Sequence, residues 1–383
     1  MRKLKLGAAG LGRAFDLMAP ALAADPRVAL VAGADPRPEA RAGFESRFGA
    51  RAYPSVEALC ADPAVQAVYV ATPHEHHAAH ACLAASSNKH VLVEKPMALA
   101  LEECRTMIDA ARRAGVALVV GPSHSFDAPV LHARKLIASA AFGALRMIAS
   151  LNFTDFLYRP RRLEELDTAR GGGAVFNQAA HQVDVVRLLA QGDVRSVRAA
   201  TGNWDPARAT EGAYSCLLDF DNGAFASLTY SGYAHFDSDE LMGWVGEMGR
   251  RKDPSRYGAA RKALKGADER QLKYSRNENG RQELPAHHPH FGLLVVSCER
   301  ADLRPLPEGV MIYADEEKRL EALAPPRIPR VEVIDELYDA AVSGKPALHD
   351  GAWGMATLEV CLAILESARA GKEISLSPPV KSA

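Results

Sequence analysis

The sequence predicts an α/β chain in two parts: an N-terminal doubly wound parallel sheet, then a C-terminal α+β domain built on a largely antiparallel open sheet. Short apolar runs alternate with helical stretches as far as Gly121-Pro122, the pattern of strands joined by crossover helices. Gly10 and Gly12 stand between the first such run and the first helix, and the second run ends in Asp35. Beyond Gly121-Pro122 the apolar runs lengthen and partly alternate, and Asp221-Asn222-Gly223 between two of them is a hairpin turn. The expected domains are therefore residues 1–122 and 123–383.

The chain has 383 residues, 48% of them hydrophobic, enough to bury a large core in two or more domains. Its formal net charge is −1, so no overall field draws it to nucleic acid or to an anionic membrane. Cys60, Cys82, Cys104, Cys216, Cys298 and Cys361 are scattered without a C-x-x-C pair. That argues against a zinc ribbon or a disulfide framework and fits a reducing compartment. Arg13 and Asp16 interrupt the apolar start before a signal-peptide core is complete, and no stretch reaches transmembrane length. A soluble cytoplasmic protein with a small-molecule partner is expected, without nucleic acid, membrane or metal.

Taken in order, residues 4–9 read as a strand ending at Gly10-Leu11-Gly12-Arg13-Ala14-Phe15, with a helix to about residue 24. Glycines at such a junction let a pyrophosphate approach the backbone and the helix N-terminus. Residues 28–34 form a second strand, and Asp35 after it is placed to hydrogen-bond an adenosine ribose. Its charge disfavours a 2′-phosphate, hence NAD over NADP, while Arg37 and Arg13 soften that preference. Phe15 takes the third small-residue position of the motif, which predicts looser packing of helix on strand. A strand at 68–71 closes with Thr72-Pro73, and the helix after it carries His74, His76, His77 and His80. His76 and His80 are one turn apart, but no further ligands complete a metal set, so an amphipathic helix is expected. A strand at 91–93, a helix at 101–114 and a strand at 116–120 bring the count to five strands.

The fourth of these strands runs into Glu94-Lys95-Pro96. Pro96 stops it and keeps Lys95 extended, which puts the lysine at the carboxyl end of a parallel strand, where open α/β sheets bind ligands. An isolated Lys-Pro is most often a surface turn. At this place its ammonium is positioned to exchange a proton with a bound hydroxyl.

In the second half a helix is expected at 129–141 and strands at 145–153, 194–204, 213–220 and 224–230. Gly171-Gly172-Gly173 opens a helix at about 174–190, on which Asn177, His181 and Asp184 fall at i, i+4 and i+7 on one face. Spacing alone favours a capped structural helix over the wall of a site. Residues 250–281 carry eleven Lys or Arg against four Asp or Glu. The segment from about 250 to 286 reads as a basic insertion, either solvated or serving as a lid or intersubunit arm. His287-His288-Pro289-His290 is expected to be a turn. Strands at 293–298 and 310–313 and helices at 330–343 and 353–370, the last capped by Gly371, finish the chain.

The order Gly10-x-Gly12, Asp35, Thr72-Pro73-x-x-x-His77, Glu94-Lys95-Pro96, Gly171-Gly172-Gly173 and His181-x-x-Asp184 resembles the glucose-fructose oxidoreductase and inositol dehydrogenase (Gfo/Idh/MocA) family over nearly the whole chain. The resemblance implies a Rossmann domain that binds NAD, or NADP, through Gly10, Gly12, Arg13, Ala14, Asp35, Arg37, Thr72, Pro73, His77, Glu94 and Lys95. It implies a substrate pocket between the two domains, with Lys95 and His181 as the catalytic residues flanking the reacting carbinol. It also implies a homodimer or homotetramer formed through the C-terminal sheet. Two positions depart from the family pattern. Asn177 stands where an acidic residue usually precedes the histidine, which shifts acid–base work toward Lys95. Ser123-His124-Ser125-Phe126 replaces Asn-Arg-Arg-Phe, which argues against a sugar or inositol substrate.

Tyr158-Arg159-Pro160-Arg161-Arg162, with Arg170 just before the glycines, points instead to an acidic substrate, since arginine forks match carboxylates. Arg159, Arg161, Arg162 and Arg170, with His124, Asn177 and His181, are the expected substrate contacts. Residues 155–162, 176–182 and 290–300 resemble one branch of the family, the phthalate 4,5-cis-dihydrodiol dehydrogenases. That resemblance implies oxidation of the cis-dihydrodiol of phthalate to 4,5-dihydroxyphthalate. The open alternatives are a sugar or polyol dehydrogenase, a dehydrogenase of a ring-cleavage semialdehyde hemiacetal, and a nucleotide-binding regulator without turnover.

Overall fold

A parallel sheet covered on both faces needs mostly apolar strands, and six strands pair in parallel in the computed structural model, which describes residues 2–275 and 285–376. They are β1 Leu4–Ala9, β2 Val28–Ala34, β3 Arg51–Tyr53, β4 Ala67–Val70, β5 His90–Val93 and β6 Leu118–Val120. The order is β3-β2-β1-β4-β5-β6 with every neighbour parallel. Five strands were expected; β3 is the addition, three residues opening with an arginine and so carrying no apolar run. The order reverses between β1 and β4, the switch point at which doubly wound sheets bind ligands.

Backbone crowding selects the residue at that switch point. Gly10 has φ +88, its N–H donates to the Ala34 carbonyl at 2.8 Å, and a Cβ there would lie 2.6 Å from the Ala71 carbonyl oxygen. Phe15, at the third motif position, is buried against Phe44 and Phe48, with ring centroids 5.7 and 5.8 Å away. An aromatic cluster thus fills the space that a small residue would leave between helix Arg13–Ala24 and its neighbours.

The chain divides after Pro122, and Arg327–Leu358 joins the first unit instead of staying with the rest of 123–383. The return is built on long-range hydrogen bonds: Val120 N–H to the His349 carbonyl, Tyr338 Oη to the Arg2 carbonyl, and the Arg27 guanidinium to Asp335.

The second unit is built on nine strands, β7 Leu145–Phe153, β8 Val194–Gly202, β9 Ala213–Phe220, β10 Phe225–Ser231, β11 Leu293–Cys298, β12 Ala301–Leu306, β13 Gly309–Ala314, β14 Lys318–Ala322 and β15 Ile374–Ser375. Their order is β14-β13-β12-β11-β7-β10-β9-β8-β15, and only β7 with β10 is parallel. Asp221-Asn222-Gly223 makes the β9–β10 turn, with Gly223 at φ +84. On β9, Tyr214, Cys216, Leu218 and Phe220 are buried while Ser215 and Leu217 are exposed. The buried face meets helix Ala180–Ala190, where Tyr214 Oη donates to Gln182 Oε1 at 2.6 Å.

The basic insertion contains helices Ala259–Leu264 and Glu269–Ser275. Arg208 pairs with Glu269 at 2.7 Å, Lys273 with Glu165, and Arg261 donates to the Ala234 and Tyr233 carbonyls. The expected insertion also takes in residues 276–284, which lie outside the described residues. His288 and His290 are buried, and His290 Nε2 lies 2.7 Å from the Val245 carbonyl oxygen. No described helix is long and apolar enough to cross a membrane.

Gly10→Ala forces a Cβ against the Ala71 carbonyl at an unfavourable φ, and is expected to cost roughly 1–3 kcal/mol. Gly12→Ala, where a Cβ would meet nothing within 4 Å, should stay within about 0.5 kcal/mol of the parent. Urea unfolding of both variants checks this; equal losses would place the constraint elsewhere.

Candidate active site

In the first unit the site grows from strand ends. Gly12 occupies the N-cap of helix Arg13–Ala24 without a side-chain acceptor, leaving the helix N-terminus suited to an anion. At the end of β2, Asp35 Oδ2 accepts from Leu11 N–H at 3.0 Å, and the Arg37 guanidinium bridges both its oxygens at 3.0 Å. Burial opposes the Asp35 charge, but Arg37 and the amides of Arg37 and Leu11 outweigh it and hold the carboxyl below its usual range. Asp35 thus ties the glycine loop to β2 and keeps its negative charge. The glycine loop, the uncapped helix and the ionised Asp35 fit a dinucleotide, with pyrophosphate at the helix and ribose at the carboxylate.

Two turns at the ends of β4 and β5 are braced by one imidazole. His77, fully buried, places Nε2 2.8 Å from the Thr72 carbonyl oxygen and Nδ1 2.8 Å from that of Pro96. Burial pushes its pKa down, and a neutral ring carries one N–H, so one of the two carbonyls receives a proton at a time. Beneath Lys95, Tyr69 Oη donates to Glu94 Oε1 at 2.5 Å and also lies 3.4 Å from the Ala14 carbonyl oxygen. Glu94 is buried and Lys95 half-buried. The turn that presents Lys95 is thereby fixed on both sides, by His77 through Pro96 and by Tyr69 through Glu94.

In the second unit, segment 123–127 lies along helix Ala180–Ala190. Ser123 Oγ is 3.3 Å from His181 Nδ1, and Ser125 Oγ donates to Asp184 Oδ2 at 2.5 Å. Between these contacts, His124 Nδ1 donates to Asp127 Oδ2 at 2.7 Å, both side chains being 7% exposed. The His124 and His181 rings meet edge to face with centroids 4.8 Å apart, and Phe291 lies 4.9 and 5.0 Å from them. Two imidazoles therefore share one apolar wall.

The helix that carries His181 is irregular near its start. Val175–Ala179 forms a π-turn, and the continuous α-helix runs over Ala180–Ala190. A π-turn spans more residues than an α-turn, so the single face expected for Asn177, His181 and Asp184 breaks up. Asn177 is buried and donates through Nδ2 to the Gly173 and Gly171 carbonyls at 2.9 and 3.3 Å. Gly173 leans on buried Glu211, which accepts from Val175 N–H and the Thr168 and Thr210 hydroxyls; a Cβ on Gly173 would lie 2.1 Å from its oxygen.

The predicted arginines are already engaged within the chain. Arg159 contacts Asp155 at 3.1 Å and Glu247 at 3.6 Å. Arg161 donates to the Phe156 carbonyl at 2.7 Å and lies over the Phe156 ring, Arg162 sits 3.7 Å from Glu165, and Arg170, half-exposed, sits 3.5 Å from Glu164. Glu247 stays ionised although burial opposes it, because Arg159, His124, His290 and Lys252 surround it. Sequence reasoning missed Tyr69, Asp127 and Glu247. Asp127 had a local signal, a carboxylate three residues after His124; Glu247 had none.

Comparison with known proteins identifies the family. Residues 4–122 match the oxidoreductase family with an NAD-binding Rossmann fold, and residues 130–250 match the GFO/IDH/MocA C-terminal domain. The chain belongs to the GFO/IDH/MocA family and is an NAD(P)-dependent dehydrogenase. It is 48% identical over 377 residues to the 1-carboxy-3-chloro-3,4-dihydroxycyclo hexa-1,5-diene dehydrogenase of Comamonas testosteroni, covering 96% of this chain and 95% of that one. A trans-1,2-dihydrobenzene-1,2-diol dehydrogenase of Danio rerio is 30% identical over 205 residues, 54% of this chain and 60% of that one. A crystal structure from Bordetella bronchiseptica RB50 superposes with a TM-score of 0.93 at 42% identity, covering 98% of this chain and all of that one.

Burial raises the Glu94 carboxyl above its ordinary value of 4.5, against the lowering effects of Tyr69, Lys95 and Arg330. A carboxyl raised in the folded state stabilises the fold below its unfolded pKa and loses that contribution as pH climbs through the folded one. Glu94→Gln keeps an acceptor for Tyr69, so its melting temperature should exceed the parent's at about pH 8 and converge with it near about pH 4. A difference independent of pH would mean that Lys95 and Arg330 fully offset the burial.

Proposed function

We propose that the protein oxidises a ring-carboxylated dihydroxycyclohexadiene to the corresponding catechol acid, and that the cis-dihydrodiol of phthalate is its substrate. The observation that carries the class is the full-length relative from Comamonas testosteroni, named for a carboxylated dihydroxycyclohexadiene. The stretches resembling the phthalate branch support the finer assignment. In this reading the glycine loop with Arg13 and Ala14 holds the pyrophosphate, and Asp35, flanked by Arg37, holds the ribose. Thr72, Pro73, His77 and Glu94 keep the neighbouring strand ends in place. A nicotinamide bound there supplies the hydride acceptor.

Lys95 takes the hydroxyl proton, with His181 assisting, as hydride leaves the same carbon. The hydroxyketone so formed moves one ring proton to oxygen and becomes aromatic, so positioning and proton removal are the main demands on the protein. A substrate carboxylate must compete with the chain's own acids for the arginines. Arg159, shared between Asp155 and Glu247, is the one tied directly to the charge network that includes His124.

The open face of the second sheet carries Leu217, Phe225 and Leu320, each about 40% exposed, and we infer that a homodimer or homotetramer forms through it.

Reduction of NAD and NADP should occur with the phthalate dihydrodiol and, more weakly, with monocarboxylated dihydrodiols, and not with polyols or sugars. Activity on polyols alone would overturn the reading. Lys95→Ala should lower kcat by about 100-fold or more while the NAD dissociation constant, read by fluorescence, changes less than about threefold; near-normal turnover would remove Lys95 from the mechanism. Leu217→Glu combined with Phe225→Glu should reduce the mass measured by light scattering, and an unchanged oligomer would exclude this face.

A further inference from the structure

We propose that His124 and Asp127 form a second acid–base pair beside His181, in which His124 carries the proton away from the reacting hydroxyl and Asp127 fixes the ring nitrogen that does so. The inference rests on the alcohol oxidation argued above, but it concerns how the proton leaves rather than which alcohol supplies it.

Three observations converge. The carboxylate missing at position 177 is not restored there, because Asn177 is spent on the glycine carbonyls. A different carboxylate, Asp127, stands 2.7 Å from His124 Nδ1 in a site where both side chains are nearly inaccessible. An ionised carboxylate only accepts, so Nδ1 carries the proton and Nε2 is left as the basic nitrogen. Finally, His124 is packed edge to face with His181 and both rings lie against Phe291, which puts the two imidazoles in direct contact.

The balance is simple. One hydroxyl proton and one hydride leave the carbinol, and the hydride takes both electrons of the C–H bond to the nicotinamide. The proton taken up at His181 passes to His124 Nε2, giving an imidazolium that faces Asp127, and from there to solvent. The charged groups around His124 are Asp127 on its own turn, His181 on the adjacent helix, and Glu247, which is itself set among Arg159, His290 and Lys252. Asp127 acts through His124 and is a positioning residue.

The test uses the full-length protein and whichever alcohol of the panel the parent oxidises, so that a wrong substrate assignment does not obscure the result. His124→Asn and Asp127→Asn should each lower kcat at neutral pH at least about tenfold with KM within about threefold. In Asp127→Asn the acid limb of kcat against pH should move to lower pH, since an imidazolium without its carboxylate gives up its proton more readily. Added imidazole should restore part of the rate of His124→Ala. Nitrogen-15 spectra of histidine-labelled protein should show His124 with its proton on Nδ1, and a mixture of tautomers in Asp127→Asn. A raised KM with unchanged kcat would make His124 a substrate contact only. Lost activity with an unmoved pH profile, no rescue and an unaltered tautomer would make the pair structural, and either result overturns the proposal.

Discussion

A carboxylate withdrawn from water must be given donors, and that requirement sets the loops that no sheet hydrogen bond reaches. Asp35 takes Leu11 N–H and Arg37 and so holds the glycine loop. Glu94 takes Tyr69 and fixes the turn bearing Lys95. In the second unit Asp184 takes Ser125, Asp127 takes His124, and Glu211 takes Val175 N–H with two threonines. Each pairing joins segments distant in sequence or fixes a functional side chain. Removing the donor would strand a buried charge, which is costlier than losing an ordinary hydrogen bond.

The same rule changes the meaning of the arginines. From composition they form a cationic patch awaiting an anion. In the fold, Glu247, Asp155, Glu165 and Glu164 already face them, and Lys273 from the basic insertion joins Glu165, whose carboxyl is lowered to about 2, with burial opposed by Lys273 and Arg161. The segment before the triple glycine is therefore a neutralised network. Anion recognition in such a network depends on exchange of partners rather than on spare charge, which makes the geometry of Arg159 and Glu247 more informative than the arginine count.

The π-turn Val175–Ala179 has a comparable effect on the histidine helix. It lets Asn177 turn back to the glycine carbonyls while His181, just beyond it, meets Ser123 and His124. One helix thus serves a structural loop at its start and a chemical wall one turn later. Phe291, from the segment entering β11, closes that wall without adding a polar group that needs a partner.

Much of the fold was legible because its signals are local. Apolar runs and turn residues marked β1, β2, β7, β9, β11 and helix Leu101–Ala114 to the residue, and Pro96 marked the strand end at Lys95. The sequence by itself determined the two-part α/β architecture, the parallel first sheet and the dinucleotide motif. Tertiary structure alone decided the rest. The short or polar strands β3, β12, β14 and β15 exist because neighbours complete their hydrogen bonds, and Arg327–Leu358 returns to the first unit through contacts with residues hundreds of positions away. The pairing of His124 with Asp127 and of Arg159 with Glu247 is equally invisible to periodicity, because the free energy of a buried charge depends on what surrounds it in space and not on what precedes it in the chain.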